Sequence, residues 1–150
     1  MYKVILIPLD GSKRAERILP HVEGLARGGE AELVFLRVVE PIRALVGPHG
    51  TVIDLNVMEQ LEEEATNYIY GVSGEFSERG FKAKDCVEKG PRVGTIIGVA
   101  KREGVDLVAM ASHGRSGLAR VFYGSVAAGV LHQVDRPLLV IRAEGEEQEV

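Results

Sequence analysis

Residues Met110 to Val126, reading Met-Ala-Ser-His-Gly-Arg-Ser-Gly-Leu-Ala-Arg-Val-Phe-Tyr-Gly-Ser-Val, combine the residue types that a phosphate site uses. The apolar run Leu107 to Met110 reads as a buried strand stopping at a glycine-bearing loop, and Gly124-Ser125 opens a helical pattern through Leu131. Strand, loop and helix N-terminus make a corner suited to anions. Backbone N–H groups there lack partners, the positive end of the helix dipole lies close, and glycine lets a phosphate approach the backbone. The Ser125 hydroxyl can donate to such a phosphate or cap its own helix. Arg115 and Arg120 stand where they can neutralise phosphate charge, Arg115 better than Arg120. His113 has no carboxylate or nucleophile to pair with in the sequence pattern, so it reads as a loop residue and no catalytic residue is assigned.

A corner of this kind needs a scaffold, and the rest of the chain supplies one. Lys3 to Leu9 is a compact β-branched apolar run, too short for a helix and ended by Asp10-Gly11-Ser12, which predicts a fully buried strand. Ser12 is placed to cap a helical segment reaching Gly28-Gly29, with Ala15, Ile18, Leu19, Val22, Leu25 and Ala26 inward and a kink at Pro20. Ala31 to Val39 is a second buried strand, stopped by Glu40-Pro41. Ile42 to Ile53, with Gly47, Pro48 and Gly50, reads as a surface loop of the sort that covers a site. From Asp54 a helix is expected, with Leu55, Met58, Leu61, Ala65, Tyr68 and Ile69 inward and a second half weakened by Gly71 and Gly74. Phe81 to Glu88 alternates and is polar, as at a sheet edge, and Gly90-Pro91 starts another helix. Pro137 to Arg142 is the last strand.

Five strands separated by four helices, most of them short continuous apolar runs, require a parallel sheet covered on both faces. Right-handed crossovers then give an α/β domain with one doubly wound, Rossmann-like sheet of order 3-2-1-4-5. The ligand crevice of such a sheet lies beyond the carboxyl ends of its strands where the winding reverses, here between the first and fourth strands. Asp10 is then expected opposite Ala111. The Pro8 to Ser12 and Ala111 to Ser125 loops would face one crevice, as a nucleotide's base and phosphates require.

Composition narrows the partners. A chain of 150 residues, 45% of them hydrophobic, suffices for one domain, taken as residues 1–143, with an acidic flexible tail over 144–150. The net charge of −4 and the acidic stretches Glu59 to Glu64 and Glu144 to Glu149 leave no basic face for a nucleic acid. Cys86, the single cysteine, reads as a structural thiol, and His21, His49 and His132 show no metal spacing, so no metal site of protein ligands is expected. The N-terminus lacks a signal-peptide layout and no apolar run approaches a membrane span, which points to the cytoplasm. Pro137 to Arg142 would leave an apolar sheet edge, for which a twofold dimer is the simplest remedy.

These residues resemble the universal stress proteins from the first strand to Arg142. The ATP-binding branch of that family carries glycine, two residues, glycine, nine residues, then glycine and serine or threonine. Gly114, the nine residues Arg115 to Tyr123, and Gly124-Ser125 fit this pattern, whereas Ala111 stands at its first glycine. Pro8-Leu9-Asp10-Gly11-Ser12 looks like the family's first loop and Pro137-Leu138-Leu139-Val140 like its closing strand. The resemblance implies ATP as ligand, with Mg2+ carried by its phosphates. It implies Pro8, Asp10 and Val38 around adenine and ribose, Met110 and Ala111 on the fourth-strand side, and Gly114, Gly124, Ser125 and Val126 at the phosphates. Asp10 carries the wrong charge for a phosphate, so ribose, adenine, water or magnesium are its partners, or else it caps the helix near Ser12. The resemblance also implies a homodimer through the last strand.

The expected function is that of a nucleotide-responsive stress-response or signalling module without dedicated catalysis. An alternative is a slow ATP hydrolase or nucleotidyl-transferring enzyme of the same superfamily, although the first loop lacks a Ser-Gly-Gly pyrophosphate motif and no His-x-Gly-His signature is present. A nucleotide-free scaffold that binds a protein partner, motivated by Ala111, is the third reading.

Overall fold

The fold was taken from a computed structural model, which describes residues 1–41, 55–114 and 124–144. Five strands, β1 (Val4–Pro8), β2 (Glu32–Val39), β3 (Lys82–Lys89), β4 (Leu107–Gly114) and β5 (Leu138–Glu144), alternate with helices α1 (Leu19–Ala26), α2 (Leu55–Glu78), α3 (Arg92–Arg102) and α4 (Gly124–Gln133). All pairings are parallel and the sheet order is β3-β2-β1-β4-β5, as the apolar runs require. Alternation along the strands divides the core into two layers. Ile5, Ile7, Leu33 and Phe35 face α1 and α2, where Val22, Ile69 and Phe76 cover them. Leu6, Val34, Leu36, Val108 and Met110 face α3 and α4, under Ile96, Val99, Ala127 and Val130. Each such large side chain contributes roughly 1.5–3 kcal/mol on burial.

Several local expectations are corrected. Pro20 does not kink a single helix: a 3-10 turn over Ala15–Ile18 comes first, and Pro20 falls in the first turn of α1, where its missing N–H costs nothing. Leu25, expected inward, is 43% exposed. α2 runs without a break through Gly71 and Gly74. Val72, Ser73 and Phe76 are buried there, and Phe76 stacks between Phe35 and Phe81 at centroid distances of 5.0 and 5.5 Å. β4 continues to Gly114 where a loop was expected after Met110, because Ala111 to Gly114 keep pairing with Ile141 to Glu144.

The amino ends of the strands are fastened by side chains. The Asp106 carboxylate accepts from the backbone N–H groups of Lys3 and Val4 at 2.8 and 3.0 Å, tying the start of β1 to the start of β4. Arg136, just before β5, donates from Nη1 to the carbonyls of Ala100 and Val105, both at 2.8 Å. At the carboxyl ends β1 and β4 part. Their register covers Ile5↔Leu107 and Leu6↔Val108, whereas β1 stays on β2 through Pro8↔Leu36 and the Leu9 N–H to Leu36 carbonyl bond. Asp10 and Ala111, expected opposite each other, both line the space that opens beyond the β1–β4 pairing.

Candidate functional site

The parting of β1 from β4 opens a cleft at the carboxyl end of the sheet, lined at its floor by Leu36, Val38, Ile96, Met110 and Ala127. About 160 Å³ of space is enclosed there. Of the residues the sequence nominated, Pro8, Asp10, Val38, Met110, Ala111, Gly124, Ser125 and Val126 all line it. Gly114 lies at the end of β4, paired with Glu144. Arg115 and Arg120 lie outside the described residues, as do the Ile42 to Ile53 segment and the tail from residue 145. Sequence reasoning missed Arg14, Arg37 and Arg92, which line the same cleft.

Each contributing element has a local reason to be there. Gly124 opens α4 with φ +62°, a left-handed conformation that glycine adopts without strain. Gly124, Ser125, Val126 and Ala127, the first turn of α4, line the cleft, and the first N–H groups of a helix have no intrahelical partners. Asp10 organises the loop after β1: its Oδ1 accepts from the Ser12 N–H at 2.8 Å, and Ser12 Oγ accepts from the Ala15 N–H at 3.1 Å. The Asp10 bond closes a turn in the loop and does not cap the helix, whereas the Ser12 hydroxyl reaches Ala15, the first residue of the 3-10 turn, whose N-cap position is Arg14. Burial alone would raise the Asp10 carboxyl, but hydrogen bonds from Ser12 and the guanidinium groups of Arg14 and Arg37 outweigh it and hold the pKa below the ordinary value. Asp10 is therefore an ionised acceptor at neutral pH. Ala111, in extended strand, needs no glycine conformation, and it packs against the α1–α2 layer of the core while lining the cleft.

Tyr68 of α2 packs against the same core layer, as expected from its helical spacing. Its Oη is buried and makes no hydrogen bond of good geometry among the described residues. Burial, with the Glu16 and Asp10 carboxylates facing it, pushes its pKa up to about 12. An unfolded tyrosine ionises near pH 10, so the neutral phenol favours the fold below that pH and this contribution is lost as pH rises toward 12. Alkaline unfolding should therefore separate wild type from Tyr68→Phe only above about pH 10, with wild type losing stability faster. Parallel curves to pH 12 would contradict that environment.

Cys86 on β3 is half-buried, and Arg102 donates to its Sγ at 3.4 Å. Burial and the neighbouring Glu88 raise the thiol pKa, which suits a structural thiol rather than a nucleophile.

The sequence model of the Universal stress protein family matches residues 1–142. Universal stress protein MJ0577 of Methanocaldococcus jannaschii is 32% identical over 155 residues, covering 95% of this chain and 96% of that one. Its structure superposes with a TM-score of 0.81 over 97% of this chain and 99% of that chain. A universal stress protein from Archaeoglobus fulgidus in complex with dAMP has a TM-score of 0.63 at 16% identity, covering 94% and 98% of the two chains. A universal stress protein in complex with cAMP has a TM-score of 0.62 at 17% identity, covering 95% and 98%. At such identities these last two speak to the fold alone. On the full-length match and the shared strand order, the chain belongs to the universal stress protein family.

Proposed function

We propose that this protein binds an adenine nucleotide, ATP with its Mg2+, in the cleft between β1 and β4, and acts as a nucleotide-responsive stress module in the cytoplasm. The observation that carries the reading is the convergence on one cleft of an apolar floor, the ionised Asp10 and the amino end of α4 entered through Gly124. The enclosed space is that of an aromatic ring, leaving ribose and phosphates along the open rim. Pro8, Val38, Met110 and Ala111 would border the base and ribose, with Asp10 accepting from a ribose hydroxyl. Gly114, Gly124, Ser125 and Val126 would hold the phosphates through backbone N–H groups and the Ser125 hydroxyl, and Arg115 would add charge. Mg2+ would arrive on the phosphates, as this ion keeps most of its waters and few protein ligands. Relatives of the same fold have been crystallised with dAMP and cAMP, which supports a nucleotide as ligand class.

Among the described residues the titratable groups lining the cleft are Asp10 and three arginines. No nucleophile–base pair is present in that set, which favours binding and conformational response over turnover. No helix of the described residues is long and apolar enough to cross a membrane. The apolar free edge of β5 would pair with a second copy to make a homodimer through Pro137 to Arg142.

The test is to purify the protein, extract it with acid, identify any released nucleotide, and titrate ATP with magnesium into the emptied protein by calorimetry. Co-purified nucleotide or micromolar ATP binding is expected. Folded protein that binds no nucleotide would turn the reading to a partner-binding scaffold, with Ala111 as the place to look for the loss.

A further inference from the structure

β2 carries one cation near the carboxyl end of its apolar run. Arg37 is half-buried, flanked in sequence by the buried Leu36 and Val38, and lines the cleft. Its Nη1 donates to the Val38 carbonyl at 2.8 Å, and among the described residues no carboxylate lies within ion-pair distance of it. A guanidinium has five N–H donors and does not lose its charge, so one backbone contact leaves most of its capacity unmet in a partly desolvated position. Alternation along β2 puts Arg37 on the face of Leu33 and Phe35. Arg14 lines the cleft from the loop after β1, 3.9 Å from Asp10 Oδ2. Asp10 is the only acid lining the cleft among the described residues, and its Oδ1 is already engaged by Ser12. Two guanidinium groups against one carboxylate leave this end of the cleft positive, in a chain whose net charge is −4.

The amino end of α4 packs, through Val126 and Ala127, on the face of Leu36 and Val38, whereas Arg37 lies on the other face of the sheet, with Leu33 and Phe35. A phosphate held at Gly124 and Ser125 therefore leaves Arg37 unanswered. Resting on the nucleotide reading above, we propose that the cleft takes a nucleotide with two phosphoryl positions. The 5′-phosphate lies at the start of α4, and a second phosphoryl group borne by the ribose is met by Arg37 and Arg14. Arginine forks match phosphate oxygens bidentately, and the second anion supplies the negative charge that one carboxylate, shared by Arg14 and Arg37, leaves short.

The experiment compares 5′-AMP, ADP and adenosine 2′,5′- and 3′,5′-bisphosphate by calorimetry on wild type, Arg37→Gln and Arg37→Lys, each checked for folding. One of the bisphosphates should bind wild type about tenfold more tightly than 5′-AMP, the scale of one charge-assisted contact. That ratio should fall toward one in Arg37→Gln and be partly kept in Arg37→Lys. The ratio of ADP to 5′-AMP, whose added charge sits on the 5′ chain, should survive both substitutions. Equal binding of 5′-AMP and both bisphosphates by wild type would overturn the second position while leaving nucleotide binding intact. So would a bisphosphate preference that persists in Arg37→Gln. Failure of every nucleotide, ATP included, to bind folded protein would overturn both readings together.

Discussion

Gly124→Val is expected to abolish nucleotide binding in a protein that still folds. The φ of +62° at this position lies where a β-branched side chain is strained by roughly 1–2 kcal/mol. That cost is small against a typical domain stability of about 5–15 kcal/mol, so the melting transition should remain cooperative and only modestly lowered. The cleft loses more. Valine would push the backbone out of the left-handed region that aims the first N–H groups of α4, and its methyl groups would occupy the space through which a phosphate reaches them. Calorimetric titration of ATP into the folded variant checks this, and an unaltered affinity would count decisively against a phosphate cradle at α4.

Val140→Pro is the second large effect, directed at assembly. The Val108 N–H donates to the Pro137 carbonyl, and Val108 is level with Leu138 in the parallel register. In a parallel ladder this makes residues 137, 139 and 141 address β4, while the N–H of Val140 points to the free edge. Proline there removes an outward donor and leaves the inner ladder to β4 in place. Wild type should scatter light with twice the 16.3 kDa chain mass, and the variant as a single chain or as aggregate. A variant that keeps the dimer mass would place the interface elsewhere. β3, the opposite edge, carries exposed Lys82, Lys84 and Asp85, which discourage pairing where β5 invites it.

The strands were legible because a parallel sheet covered on both faces demands apolar runs, and Val4 to Leu9, Leu33 to Leu36 with Val38 and Val39, and Leu107 to Met110 are such runs. The sheet order followed from crossover handedness and from the polar character of β3. What escaped were features set by tertiary contact. β4 extends past Met110 through Ser112, a serine 2% exposed, and a small polar residue two positions before a glycine looks like a turn until β5 is there to pair with it. Val72 and Phe76 lay in a helix half discounted for its glycines, yet packing by Phe35 outweighs the propensity cost of Gly71 and Gly74. The residues lining the cleft from β1, β4 and α4 could be nominated because they follow the strands nearest the switch point. Arg14, Arg37 and Arg92 were not, since a single arginine near the end of an element usually marks solvent. Arg37 did leave a trace, as the one charge inside an otherwise apolar stretch from Leu33 to Val39.

Asp106 and Arg136 bind the sheet at one end only, like the spine of a book. Pairing between β1 and β4 then ends after two registered residues, so the opposite end is free to fan. Local opening should therefore be graded along the strand axis, amide exchange being slowest near Val4 and Leu107 and faster toward the carboxyl ends. A ligand wedged between the two pages would bring that gradient toward level, and the protein would report occupancy through stiffness rather than through a change of shape.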